Sequence, residues 1–429
     1  MDIRRVRIKE DENATVLSND LIRAVVQDYN GRLIEFSAMN IHGGWVNSNK
    51  LHRFPFSKDT VDQNIKHKDA DPLMDKLYGY QVKLVENKSQ EQITAEEEAI
   101  LGNINTYDDL LNKSENLNKD DTDAYLDAIF EKDRVKWIVQ RYGSDETTGG
   151  VWVLSKNNSP FRNCKWATKR LDVVLPNQPV IYSALYIKNT SENTINLNVG
   201  FDNTIGAPFL ESGCVLNSSS KLWNKFQDVE SHKIIERLSD SEKPFTLEKA
   251  PLKTGGTCDV KNIVGISGTT DILYSKNELE NKSHIWASVI NPHHQLIYLS
   301  FAPGKELMED IDIELNYSTM VLDYGGRNQP PWSLYEGGPS NEFSIHLGSS
   351  TSYYGKGPGV SLEPGEVKRV LYARCLTTYD NPRMGNNFNN FESFNHNIVL
   401  KRTKSSIVIP SDPKFEVIKK FGKNLINFD

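Results

Sequence analysis

From position 17 to 37 the chain reads LSNDLIRAVVQDYNGRLIEFS, with two short apolar runs, 21–26 and 32–36, around Asp28-Tyr29-Asn30-Gly31. Gly31 supplies the positive φ of a tight turn, so the segment predicts a hairpin of two antiparallel strands. A clearer hairpin follows. Residues 181–188 alternate polar and apolar, Asn189-Thr190-Ser191-Glu192-Asn193 turn, and 195–201 alternate again. Period-2 alternation across a polar turn predicts antiparallel strands with one buried face. Further strands are predicted at 151–154, 260–266, 285–290, 296–301, 311–320, 343–347 and 367–373. Gly255-Gly256, Asn291-Pro292, Gly325-Gly326 and Pro364-Gly365 punctuate them. Many short strands with frequent turns predict an all-β sandwich or barrel.

Two stretches break this rhythm. Residues 89–133, SQEQITAEEEAILGNINTYDDLLNKSENLNKDDTDAYLDAIFEKD, lack strand alternation. Leu110-Leu111 and Tyr125, Leu126, Ile129 and Phe130 have helical spacing, with Asp121 or Thr122 as a cap. This predicts an acidic helical insertion, read either as a solvated decoration or as a lid or contact surface. At the other end, 398–401 and 406–409 predict short strands. A basic amphipathic helix over 414–427 then puts Phe415, Ile418 and Phe421 on one face.

Composition adds exclusions. Lys+Arg 50 against Asp+Glu 57 gives 50 − 57 = −7, which lacks the basic footprint of a non-specific nucleic-acid binder. No run approaches the length of a membrane span. The opening MDIRRVRIKE has no apolar core of a signal peptide, so a cytoplasmic protein is expected. The cysteines, Cys164, Cys214, Cys258 and Cys375, stand far apart without metal-ligand spacing. No metal site and no cofactor is predicted.

Several residues are suited to bind a polar small molecule. Glu336 stands among aromatics and glycines in Trp332-Ser333-Leu334-Tyr335-Glu336-Gly337-Gly338, where Trp332 could stack on the apolar face of a ring. Arg327 follows Gly325-Gly326 and is suited to a bidentate clamp on an anionic group. His42, in Ile41-His42-Gly43-Gly44-Trp45, marks an exposed loop. His346 alternates with Phe343, Ile345 and Leu347 and is predicted to point away from their apolar face. Each also has a plain structural reading as a loop or strand residue. Gly355-Lys356-Gly357-Pro358-Gly359 lacks the spacing of a phosphate loop and predicts a turn.

Three segments together resemble the galactose mutarotase (aldose 1-epimerase) superfamily. They are LSNDLIRAVVQDYNGRLIEF, the hairpin ending GFDNTIGAPFL, and the block from Asp323 that closes in Leu362-Glu363-Pro364-Gly365-Glu366. The resemblance implies an all-β antiparallel β-supersandwich over 1–396, carrying the insertion at about 89–133. Residues 397–429 form a C-terminal extension packed on it. It also implies a small-molecule sugar as partner, with no nucleic acid or membrane, and it leaves the oligomeric state open. The implied chemistry is anomer interconversion. A glutamate base deprotonates the anomeric hydroxyl, and a histidine acid protonates the ring oxygen.

The resemblance places Arg53 and Tyr78 at sugar-binding positions, Tyr78 where a histidine is usual. The catalytic histidine position falls near Asn203, and the glutamate position on Gly348, so both are altered. Glu336, Glu342 and His346 are then the residues left for catalysis, with Arg53, Tyr78, Asn203, Arg327, Trp332 and His42 for binding. Alternatives are a catalytically degenerate sugar-binding module, and an interaction protein that uses the acidic insertion.

Overall fold

The structure is a computed structural model. It describes residues 1–9, 12–28, 33–49, 80–86, 137–157, 165–226, 235–241, 243–264, 268–277, 283–310, 312–326, 341–349, 359–380, 387–388 and 390–428. The insertion predicted at 89–133 and the Gly31 turn lie outside these residues.

In chain order the strands begin with β1 (Asp2–Lys9), β2 (Glu12–Ser18), β3 (Ile22–Gln27), β4 (Leu33–Met39), β5 (Trp45–Asn47), β6 (Tyr80–Glu86), β7 (Trp137–Ser144) and β8 (Val151–Asn157). Then come β9 (Trp166–Val174), β10 (Val180–Asn189), β11 (Ile195–Gly206), β12 (Val215–Ser218), β13 (Asn224–Lys225), β14 (Ala250–Pro251), β15 (Thr257–Cys258) and β16 (Thr269–Lys276). The last are β17 (His284–Asn291), β18 (Leu296–Pro303), β19 (Tyr317–Tyr324), β20 (Asn341–Gly348), β21 (Val360–Leu362), β22 (Val367–Thr378), β23 (Asn390–Phe394), β24 (Asn397–Lys401) and β25 (Ser406–Pro410). One α-helix among the described residues, α1 (Glu416–Leu425), follows.

Two large antiparallel sheets face each other. The first runs β1-β2-β3-β4-β6-β11-β20-β19-β16-β13, with β5 on β4 and β21 on β11. The second runs β12-β17-β18-β22-β10-β9-β8-β7. Alternate residues of both fill the space between them: Leu197, Val199, Phe201 and Ile205 from β11 meet Ile181, Leu185 and Ile187 from β10 in one apolar core. This is the all-β antiparallel supersandwich expected from the sequence.

A third layer covers the far face of the second sheet. Strands β23, β24 and β25 form a small sheet. With α1 they cover Tyr182, Tyr186 and Phe301 with Phe391, Ile398, Leu400, Phe415, Ile418 and Phe421. Each large apolar side chain sealed here contributes about 1.5–3 kcal/mol. Polar bonds fix the register of this layer. Asp412 Oδ2 accepts the Val417 N–H at 2.8 Å, opening α1, and His284 Nε2 donates to the Pro413 carbonyl at 2.7 Å. As a result β10 is buried on both faces, not on one as its alternation suggests.

Two strand predictions are corrected. Residues 260–264 form no strand, although Val260 and Ile263 are buried. Their backbone bonds go to separate partners, Val260 N–H to Leu247 and Ile263 N–H to Cys214, so no continuous ladder forms. Strand β19 starts only at Tyr317. Before it, Asp312 N–H bonds the Arg369 carbonyl, and the Asn316 carbonyl accepts from Asn277 N–H. No helix among the described residues is long and apolar enough to cross a membrane.

Candidate functional site

The first sheet sorts its side chains by the period of two. In β11, β20 and β19 the sandwich interior takes Phe201, Ile205, Phe343, Ile345, Met320 and Leu322. The intervening residues therefore sit on the outer face, and the register stacks them in rows. Asp202, His346 and Thr319 form one row, Thr204, Ser344 and Val321 the next, and Gly206, Glu342 and Asp323 a third.

Within the first row, His346 Nδ1 lies 2.6 Å from Asp202 Oδ1. An ionised carboxylate has no proton to give, so Nδ1 is the donor. That fixes the tautomer of the neutral ring, with its proton on Nδ1. Gly200 makes the arrangement possible. A Cβ on Gly200 would collide with the imidazole of His346, so the ring rests over bare backbone.

The second row is polar up to Val321, which packs with Phe226 and Ile272. Thr204 Oγ1 and Ser344 Oγ are 3.2 Å apart. Ser344 and Asp202 are partly exposed, while His346 and Glu342 are buried. Asp323 accepts from Thr270 Oγ1 at 2.8 Å and from the Gly325 and Gly326 N–H groups at 3.1 Å each. Glu342 stands opposite Asp323 across the strand pair. The face thus joins a histidine, three carboxylates and a pair of hydroxyls on adjacent strands.

No protein-family model matches the sequence, and no curated protein matches it. Solved structures do resemble the fold. A galactose mutarotase-like protein from Clostridium acetobutylicum superposes with a TM-score of 0.50 at 14% identity, over 88% of this chain and 98% of its own. A presumptive aldose 1-epimerase from Klebsiella pneumoniae gives 0.52 at 10% identity, over 88% and 83%. The chain has the galactose mutarotase-like fold.

Within that fold, the residues named from sequence separate. His346 and Glu342 share one strand and one face. Asn203 does not join them. Its side chain turns into the interior, where Nδ2 donates to the Tyr372 hydroxyl and, at 3.3 Å, to the Ile345 carbonyl. Phe201 stacks on the same tyrosine, with ring centroids 4.5 Å apart. The correction is one of parity. Asn203 is one residue away from Asp202 and Thr204, so it occupies the opposite side of β11. Gly348, the expected glutamate position, pairs with Gly200 and Tyr317.

His42 is exposed in the turn between β4 and β5. Its N–H bonds Asn40 Oδ1, and Asn40 reaches His294 in the β17–β18 turn. Arg53, Tyr78, Arg327, Trp332 and Glu336 lie outside the described residues. Sequence reasoning missed Asp202. The signal was available in GFDNT, where Gly200, Asp202 and Thr204 form the small and polar half of the alternation.

Proposed function

We propose that this chain binds a cyclic sugar on the outer face of the first sheet and interconverts its anomers by acid–base ring opening. The observation that carries the reading is the Asp202–His346 pair beside the accessible Ser344, with Glu342 beyond it. Glu342 and His346 stand four positions apart on one strand, about 13 Å between Cα atoms.

Glu342 takes the anomeric hydroxyl proton as C1 becomes a carbonyl and the bond from C1 to the ring oxygen breaks. His346 Nε2 gives a proton to that oxygen, and Asp202 stabilises the imidazolium before and the correct tautomer after. Rotation about the C1–C2 bond and closure in reverse produce the other anomer. Thr204 and Ser344 offer hydroxyls to the sugar from the floor. The fold similarity supports this reading at the level of architecture.

Saturation-transfer NMR with a panel of aldoses tests the location. Binding of at least one sugar that disappears in Ser344→Leu is expected; binding that survives this substitution would move the site elsewhere. A second reading, sugar binding without turnover, is favoured by the altered positions at Asn203 and Gly348. It predicts binding in the same experiment with anomer exchange no faster than in buffer.

A further inference from the structure

The far face of the second sheet carries a cavity of about 380 Å³ beside the last turn of α1. Tyr186 and Lys188 reach it from β10, Val367 and Arg369 from β22, and Lys423 and Phe428 from the helix and the tail. The register puts Tyr186 opposite Arg369 and Lys188 opposite Val367, so all four share one face.

The floor of this cavity is built. Tyr186 is 8% exposed, its hydroxyl lies against the Arg369 guanidinium, and Arg369 Nε is buried with no protein oxygen bonded to it. A buried guanidinium N–H of this kind is costly unless something bonds to it. Gly422 leaves the room this pair needs, because a Cβ there would collide with the Tyr186 hydroxyl. Burial raises the Tyr186 phenol above its ordinary range against the opposing effect of nearby Arg369, so the hydroxyl remains a donor. The tail wall is tied down. Lys169 donates to the Asn427 carbonyl and lies 5.3 Å over the Phe428 ring, and Arg141 donates to the Leu425 carbonyl at 2.9 Å.

Cationic side chains predominate here, with the Asp312 carboxylate near enough to act on the Tyr186 phenol. Among the described residues no carboxylate pairs with the side chains of Lys188, Arg369 or Lys423. Asp312 approaches, but its carboxylate accepts the Arg369 backbone N–H at 2.8 Å. A guanidinium fork, two ammonium groups and a phenol donor around one hollow suit a tetrahedral dianion, with the guanidinium able to bond it twice.

We infer that this cavity binds a phosphate group. The site is separated from His346 by the thickness of both sheets, so it stands independently of the sugar reading. The phosphate is either free or carried on an organic body. Phe428 and Val367 supply an apolar wall for the second case.

Titration of the full chain with inorganic phosphate at low salt, followed by calorimetry, tests this. One saturable site is expected, weakened at least about tenfold by Arg369→Gln and by Lys423→Gln. Lys423 is on the exposed surface of α1, so its variant keeps the fold. Tyr186→Phe is expected to weaken binding less than either. Phenyl phosphate distinguishes the sources: tighter binding than inorganic phosphate assigns an organic ligand, and equal binding assigns the free ion. Absence of saturable phosphate binding, or the same affinity in wild type and both charge variants, overturns the inference.

Discussion

His346 and Asp202 meet across β20 and β11 at 2.6 Å, over a glycine whose missing side chain makes room for the ring. The carboxylate fixes which nitrogen carries the proton. Asp202→Asn puts an amide in its place, which can donate to Nδ1 and move the ring proton to Nε2. Anomer exchange should then fall by at least about a hundredfold. Nitrogen-15 shifts of the His346 ring should report the switched tautomer. An unchanged tautomer in that variant would contradict the assignment.

Gly200→Ala tests the glycine. The added methyl must displace the imidazole or the strand, at a cost of about 1–3 kcal/mol. Urea denaturation should show that loss, and the Nδ1 proton resonance of His346 should vanish. Full stability with the resonance intact would mean that the ring does not rest over Gly200.

Asn203 is predicted to serve the interior alone. Asn203→Ala removes a donor to Tyr372 and should cost about 1–3 kcal/mol. Burial already raises the Tyr372 phenol to about 12, so it stays neutral in the variant. Sugar affinity should stay within about twofold of wild type, since less than half a kcal/mol is at stake. A large loss of affinity at unchanged stability would return Asn203 to the site.

The C-terminal layer gives a pH signature. Burial depresses the His284 imidazole to about 4, while its Nε2 proton is held by the Pro413 carbonyl. The unfolded chain binds this proton near 6.5, so between the two values the unfolded state holds more protons. The stability associated with neutral His284 is present above about pH 6.5 and is lost as pH falls toward about 4. The loss is on the order of 3 kcal/mol. His284→Gln should flatten this part of a stability–pH profile measured by denaturant unfolding.

Much of the architecture was legible because alternation survives wherever one sheet face is apolar. The β10–β11 hairpin and β17, β18, β20 and β22 followed from it directly. Period alone could not show that β10 has a second buried face, because the covering residues, such as Phe415 and Ile418, come more than 200 positions later. The site was less legible for a related reason. Asn203 and Asp202 differ by one position, and only the register with β20 determines which faces His346. Asp202 carried no motif of its own. Its role depends on a partner 144 residues away.

Anomer exchange measured directly, by two-dimensional exchange NMR on aldoses with wild type and His346→Asn, tests the central claim. The account predicts exchange above the buffer rate for at least one aldose with wild type, falling to the buffer rate in the variant. Exchange at the buffer rate for every aldose with wild type, or accelerated exchange that His346→Asn leaves intact, would contradict it.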